Sequence, residues 1–264
     1  MRRVGLLTMT LAMGCATTPV APTAPLTGPT SIADPDFVAQ YTATYRFRLG
    51  APRSITVTPG GDSVLYLRSG PRSFVHDLWR FDTATGEEAV FLTATDLLAG
   101  QEETLTAEEK ARRERMRQTS RGIASYLLSN DGKRLIVPLS GRLFVVDRAT
   151  RAVRELQSSA GPALDPRLSP NGGLVAAVRD GNLHVTALDS GKERAVTGCK
   201  GDEVTCGLAE FVAQEEMGRM RGHWWSPDSA RLVYQRTDTS KMERMHLVDP
   251  THPENAPDIW PYPR

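Results

Sequence analysis

The stretch "SPNGGLVAAVRDGNLHVTALDSGKERAV", residues 169–196, holds one complete structural unit. A Ser-Pro-Asn-Gly turn opens it, and Pro, Asn and Gly are the residues whose backbone preferences suit a tight reversal. The run "LVAAVRD" at 174–180 then alternates as a half-buried strand does. A second strand, "NLHVTALD", leads into a turn at Asp189, and "ERAV" leaves it. The unit therefore reads turn, strand, strand, Asp-turn, strand.

The same order occurs elsewhere. "TPGG" at 58, "SNDG" at 129 and "SPDS" at 226 precede the runs "VLYLRS", "RLIVPLS" and "RLVYQRT". Asp-centred turns follow at Asp82, Asp147 and Asp249. Such a unit cannot hide both faces by itself, so copies must stack around an axis. The pattern predicts an all-β fold: a partial β-propeller of about four four-stranded blades with two helical insertions. A β-sandwich also uses short alternating strands, but it gives no reason for two turn types in fixed order.

The first insertion, "GQEETLTAEEKARRERMRQTSRG" at 100–122, is a charged helical segment. Glu108 with Arg112, and Glu109 with Arg113, have i,i+4 spacing and predict an exposed helix on the rim. Its basic residues from Arg112 to Arg117 read as a solvated face rather than a site for an acidic partner.

The second insertion contains "FVAQEEMGRMRGHWWSPDS" at 211–229. Counted from Leu208, Phe211 and Val212 lie on one helical face, and Glu215 and Glu216 continue that apolar stripe. Charge on a face that buries is costly unless it is paired. Two adjacent carboxylates supply too few ligands for a metal, and they do not straddle a bond as glycoside hydrolysis requires. They do suit a primary ammonium, with its one charge and three N–H donors. Two solvated glutamates on a surface helix are the plain alternative. Trp224 and Trp225 read as core, and His223 as their structural neighbour.

At 264 residues and 40% hydrophobic, the chain can bury a core. With Lys+Arg 32 against Asp+Glu 31, the net charge of +1 argues against nucleic acid as the main partner. "MRRVGLLTMTLAMGC" (1–15) has the layout of an export signal, and Ala12-Met13-Gly14-Cys15 resembles a lipobox in which Cys15 takes the lipid. An ordinary signal peptide with an incidental cysteine is the other reading. Residues 16–36, rich in Pro and Thr, read as a tether, and 37–264 as the folded body. The chain is thus expected to be exported to a bacterial cell envelope and to meet the membrane through its lipid alone. In an oxidising compartment Cys199 and Cys206 are expected to pair and brace the segment before the double-Glu helix; two free thiols are the alternative. No metal is implied, because none of the five histidines is spaced with these cysteines as in a zinc site.

The block "FVAQEEMGR…HWWSPDSARLVYQRTD" closely resembles the propeller of the dipeptidyl-peptidase IV branch of the prolyl oligopeptidase family. "LTAEEKARRERMR" and "LSNDGKRLIVPLSGRLFVVDRAT" look like bacterial members of that branch. The resemblance covers most of 37–264. It implies an eight-bladed propeller capping an α/β-hydrolase domain, in a serine peptidase that needs no cofactor and releases N-terminal dipeptides. It also implies that Glu215 and Glu216 hold the free N-terminus of the peptide. No G-x-S-x-G nucleophile motif stands in the 264 residues, so no catalytic residue is assigned. The expectation is a substrate-positioning propeller portion, read as a shortened or interrupted gene product, with a separately encoded hydrolase domain as one candidate partner. The rivals are a non-catalytic envelope propeller that binds peptides or proteins, as TolB-like propellers do, and an inactive remnant.

Overall fold

A computed structural model describes residues 34–101, 103–201 and 203–262. The export signal, Cys15 and nearly all of the tether lie outside the described residues. The chain divides into two units, 1–38 and 39–264. In the first, only 34–38 are described, and they open the short helix α1, Phe37–Ala43, whose own residues are none of them buried.

The first blade consists of β1 (Arg53–Val57), β2 (Ser63–Ser69), β3 (Val75–Asp82) and β4 (Glu88–Leu92), antiparallel in chain order. Helices α2 (Ala94–Leu97) and α3 (Ala107–Arg115) follow. Then β5 (Arg121–Gly122) adds to β3 in parallel. The second blade is β6 (Leu127–Leu128), β7 (Arg134–Leu139), β8 (Arg142–Asp147) and β9 (Val153–Leu156). The third is β10 (Leu164–Leu168), β11 (Leu174–Arg179), β12 (Asn182–Ala187) and β13 (Glu193–Ala195).

Alternation along the strands explains why the blades stack. On β7, Leu135, Val137 and Leu139 face the first blade and join a cluster with Leu65, Leu67 and Leu78. Ile136, between them in sequence, belongs to the cluster shared with Val175 and Ala177 of the third blade. On β11 the odd residues face back, while Ala176 and Val178 face forward toward Trp225 and Leu232. A period of two thus serves two interfaces from one strand.

The recurring tetrads owe their sequence to local hydrogen bonding. The hydroxyl of each opening residue accepts the backbone N–H five residues on: Ser63 to Thr58 at 3.1 Å, Arg134 to Ser129 at 2.9 Å, Leu174 to Ser169 at 2.9 Å and Arg231 to Ser226 at 2.9 Å. The fourth residue takes a left-handed backbone, φ 71° at Gly132 and 70° at Gly172, which glycine adopts without strain. Ser229 takes φ 63° in the last tetrad, and its hydroxyl accepts the backbone N–H of Asn171 from the neighbouring tetrad at 3.0 Å. The turns therefore also link blade to blade.

The fourth repeat is divided. β14 (Val204–Cys206) pairs with β17 (Arg236–Asp238), β15 (His223–Trp225) with β16 (Leu232–Tyr234), and β18 (Arg244–Leu247) with β19 (Asp258–Pro261). The change of partner falls at Gln235, whose N–H donates to Gly222 O while its own carbonyl accepts Gly207 N–H, both at 2.8 Å. Where one four-stranded blade was expected, the strands form three two-stranded pairs. Val233, Leu247, Val248 and Ile259 are exposed there, so half of the alternating pattern has no covering layer among the described residues.

Candidate functional site

The double-Glu segment forms α4, Phe211–Glu215. Its N-cap is Glu210, whose carboxylate accepts the N–H groups of Val212 at 2.6 Å and Ala213 at 2.9 Å. That occupies two backbone donors that a helix start leaves unpaired and places negative charge at its positive end. Gln214 is buried and donates to Ala209 O at 2.6 Å, while Ala213 is fully enclosed. The inner face of α4 is therefore Ala213 and Gln214.

Glu215 and Glu216 do not continue that face. Both are exposed, contrary to the helical stripe counted from Leu208. A five-residue helix explains the difference: it ends at Glu215, Glu216 is its C-cap, and the rotation assumed over two turns is never completed. The carboxylates consequently escape the cost of burial and remain available to solvent or ligand.

Glu215 borders a cavity of about 460 Å³ between α3, α4 and the β18–β19 hairpin. Phe211, Met245, Leu247, Trp260 and Tyr262 give it apolar walls, and Arg115 of α3 adds a cation. Phe211 and Tyr262 meet with ring centroids 5.6 Å apart. Arg115 stands 4.0 Å from Glu215, donates to Gln214 Oε1 at 3.4 Å, and lies 5.5 Å from the Phe211 ring centroid. Glu216 is not among the residues bordering this cavity.

The α3 insertion is docked rather than solvated. Arg113 is buried, paired with Glu103 at 2.8 Å and Glu109 at 3.0 Å, and donates to Ser120 O at 3.2 Å. Arg112 reaches Asp165 at 3.2 Å. The sequence contains the Glu109–Arg113 pair, but Asp165 is too distant along the chain for spacing to reveal it. Arg115, the cation of the cavity, was not singled out by sequence for the same reason.

Cys199 and Cys206 are joined by a disulfide, and Cys206 lies in β14 shortly before α4. His223 is fully buried, with Nδ1 2.9 Å from Gly207 O, and burial holds its pKa below the usual histidine value. That enclosure favours the neutral imidazole. Trp225 is half-buried against the third blade and donates its indole N–H to Arg167 O at 3.0 Å; Trp224 carries Arg221 over its ring at 5.7 Å. Among the described residues, no three His, Cys, Asp or Glu side chains group to hold a metal.

Stacked antiparallel blades, with a helix-bounded cavity at one end of the array, define a β-propeller portion. A model of the family "Dipeptidyl peptidase IV (DPP IV) N-terminal region" matches residues 122–264, more than half of the chain. The chain belongs to that family. It is 27% identical to human dipeptidyl peptidase 8 over 183 residues, covering 60% of this chain and 20% of that protein. It is 29% identical to a probable dipeptidyl-aminopeptidase B of Aspergillus oryzae over 117 residues, covering 43% and 13%. The crystal structure of Porphyromonas gingivalis dipeptidyl peptidase 4 superposes with a TM-score of 0.58 at 20% identity, covering 84% of this chain and 30% of that one. The chain thus spans about a fifth of the human relative's length, and the likeness to the solved structure concerns the fold.

Proposed function

We propose that this chain is the portion of a dipeptidyl-peptidase-like serine exopeptidase that receives the free N-terminus of a peptide. Glu215 and Glu216 accept the ammonium, and the aromatic wall of Phe211, Trp260 and Tyr262 takes the first side chains. The observation that supports this most is the exposed Glu215 carboxylate at the edge of an apolar cavity, in a chain of this family. A charge-assisted hydrogen bond contributes about 1.5–3 kcal/mol when sheltered, and solvent screening lowers an exposed ion pair toward 1 kcal/mol. With both carboxylates exposed, removing one charge should weaken binding by roughly three- to tenfold.

No nucleophile motif stands in these residues, so the proposed role is anchoring, with bond cleavage assigned to an α/β-hydrolase domain of the kind the family resemblance implies. We place the chain at a bacterial envelope, held by a lipid on Cys15. Calorimetric titration of a Gly-Pro-led peptide into the wild type and the Glu215→Gln/Glu216→Gln variant tests the anchor. Loss of affinity in the variant supports it. Undiminished affinity would favour a non-catalytic propeller that holds peptides by other contacts.

A further inference from the structure

Among the described residues, Asp165 is the most enclosed carboxylate that the proposed site does not itself use, with a side chain 2% exposed. It sits in β10 at a register irregularity between Leu164 and Arg167, with a left-handed φ of 48° that aspartate tolerates better than most residues. Oδ1 accepts from Arg112 of α3 at 3.2 Å and from Arg167 at 2.6 Å. Oδ2 lies 3.4 Å from Gly222 N–H and 3.9 Å from His223 Nδ1. Arg112 extends the link by donating to Met220 O at 3.4 Å. One carboxylate therefore ties α3 to the segment that leaves α4.

Both ties lead to the cavity. Arg112 lies one helical turn from Arg115, the cation that faces Glu215. Gly222 packs against the entry to α4: a Cβ there would come within 2.2 Å of Leu208 C and 2.4 Å of Gly207 O. The segments before and after α4 thus meet beside the same carboxylate. A buried acid must be paired, and Arg167 of the same strand could do that alone; pairing does not explain why Arg112 comes from the helix that carries Arg115 and the Gly222 amide from the segment that leaves α4.

We propose that Asp165 is a positioning residue for the amine site: it fixes the separation of α3 and α4, and so how closely Arg115 approaches Glu215, a carboxylate that receives the ammonium. The proposal rests on the anchoring function above. Its test separates the two, because geometry and binding are read independently.

In the full chain carrying Cys15→Ser, spin labels at Lys110→Cys and Met217→Cys, both exposed, report the α3–α4 distance by pulsed electron resonance. Calorimetry on the same proteins measures affinity for a Gly-Pro-led peptide. Asp165→Asn is expected to broaden or shift the distance distribution and to weaken binding by about threefold or more, up to the loss seen on removing Glu215. Arg112→Lys, which keeps the cation, is expected to retain both. An Asp165→Asn distribution that superimposes on the wild type overturns the proposal, as does a changed distribution with unchanged affinity. If Asp165→Asn does not fold, Arg112→Met breaks the same link and is read by the same criteria. If the wild type binds no free-amine peptide, the anchoring function falls and the distance distribution alone decides whether Asp165 positions the helices.

Discussion

Arg115 Nε stands 4.0 Å from Glu215 Oε1, the two groups carried by separate helices on either side of one cavity. Arg113, two residues earlier on α3, is enclosed by Glu103, Glu109 and a backbone carbonyl. Neighbours on one helix thus have opposite roles, one holding the helix down and the other facing the cavity.

This contrast predicts unequal costs. Arg115→Met should lower stability by under about 1 kcal/mol, the range of a half-exposed ion pair. Arg113→Met should cost about 3 kcal/mol, because it strands enclosed carboxylates. Urea unfolding of both variants measures the difference; equal costs would contradict the docked arrangement of α3.

Acid should loosen the contact between the first two blades. Asp62 bonds Arg148 at 2.6 Å, and that guanidinium together with the Thr58 hydroxyl holds the carboxyl well below the ordinary aspartate value of 3.8. A depressed folded-state pKa contributes stability above the unfolded value, and this is lost as pH falls through the folded one. Wild type should therefore be more stable than Asp62→Asn at neutral pH, with the gap starting to narrow near pH 4 and continuing to close below it. Thermal melts across that range supply the check; a gap independent of pH would count against the pairing.

Two tetrad and Asp-turn glycines separate backbone strain from crowding. Gly86 and Gly132 have φ of 74° and 71°. A Cβ at Gly86 meets nothing within 4 Å, whereas one at Gly132 comes within 2.8 Å of Pro59 Cδ. Gly86→Ala should cost about 1 kcal/mol from backbone strain alone, and Gly132→Ala about 1–3 kcal/mol more because the first two tetrads are forced apart. Melting temperatures of the two variants decide it.

Lipidation is the prediction for the region outside the described residues. Cells expressing the full chain should incorporate labelled fatty acid into it, and Cys15→Ala should abolish incorporation while leaving the propeller folded. Label retained in the Cys15→Ala chain would show that the Ala12–Cys15 resemblance to a lipobox is incidental.

The blades were legible because their determinants are local. A hydroxyl five residues from its N–H partner and a glycine at positive φ can both be read from adjacent letters. The arrangement around the cavity was not. Arg112 and Arg113 have the spacing of a solvated helix, yet Asp165 and Glu103 enclose them. Glu215 and Glu216 fit an apolar stripe only if α4 continues past five residues, and its early end turns them outward. The divided fourth repeat depends on Gln235 exchanging partners between Gly222 and Gly207, which alternation alone does not encode.

The central claim is that Glu215, at the edge of the aromatic cavity, and its exposed neighbour Glu216 receive a peptide's amino end. Titrating one Gly-Pro-led peptide, first with its free ammonium and then N-acetylated, into the wild-type chain tests this most directly. The account predicts that acetylation weakens binding at least as much as Glu215→Gln/Glu216→Gln does, and that the two losses are not additive. Equal affinity for both forms of the peptide would contradict it.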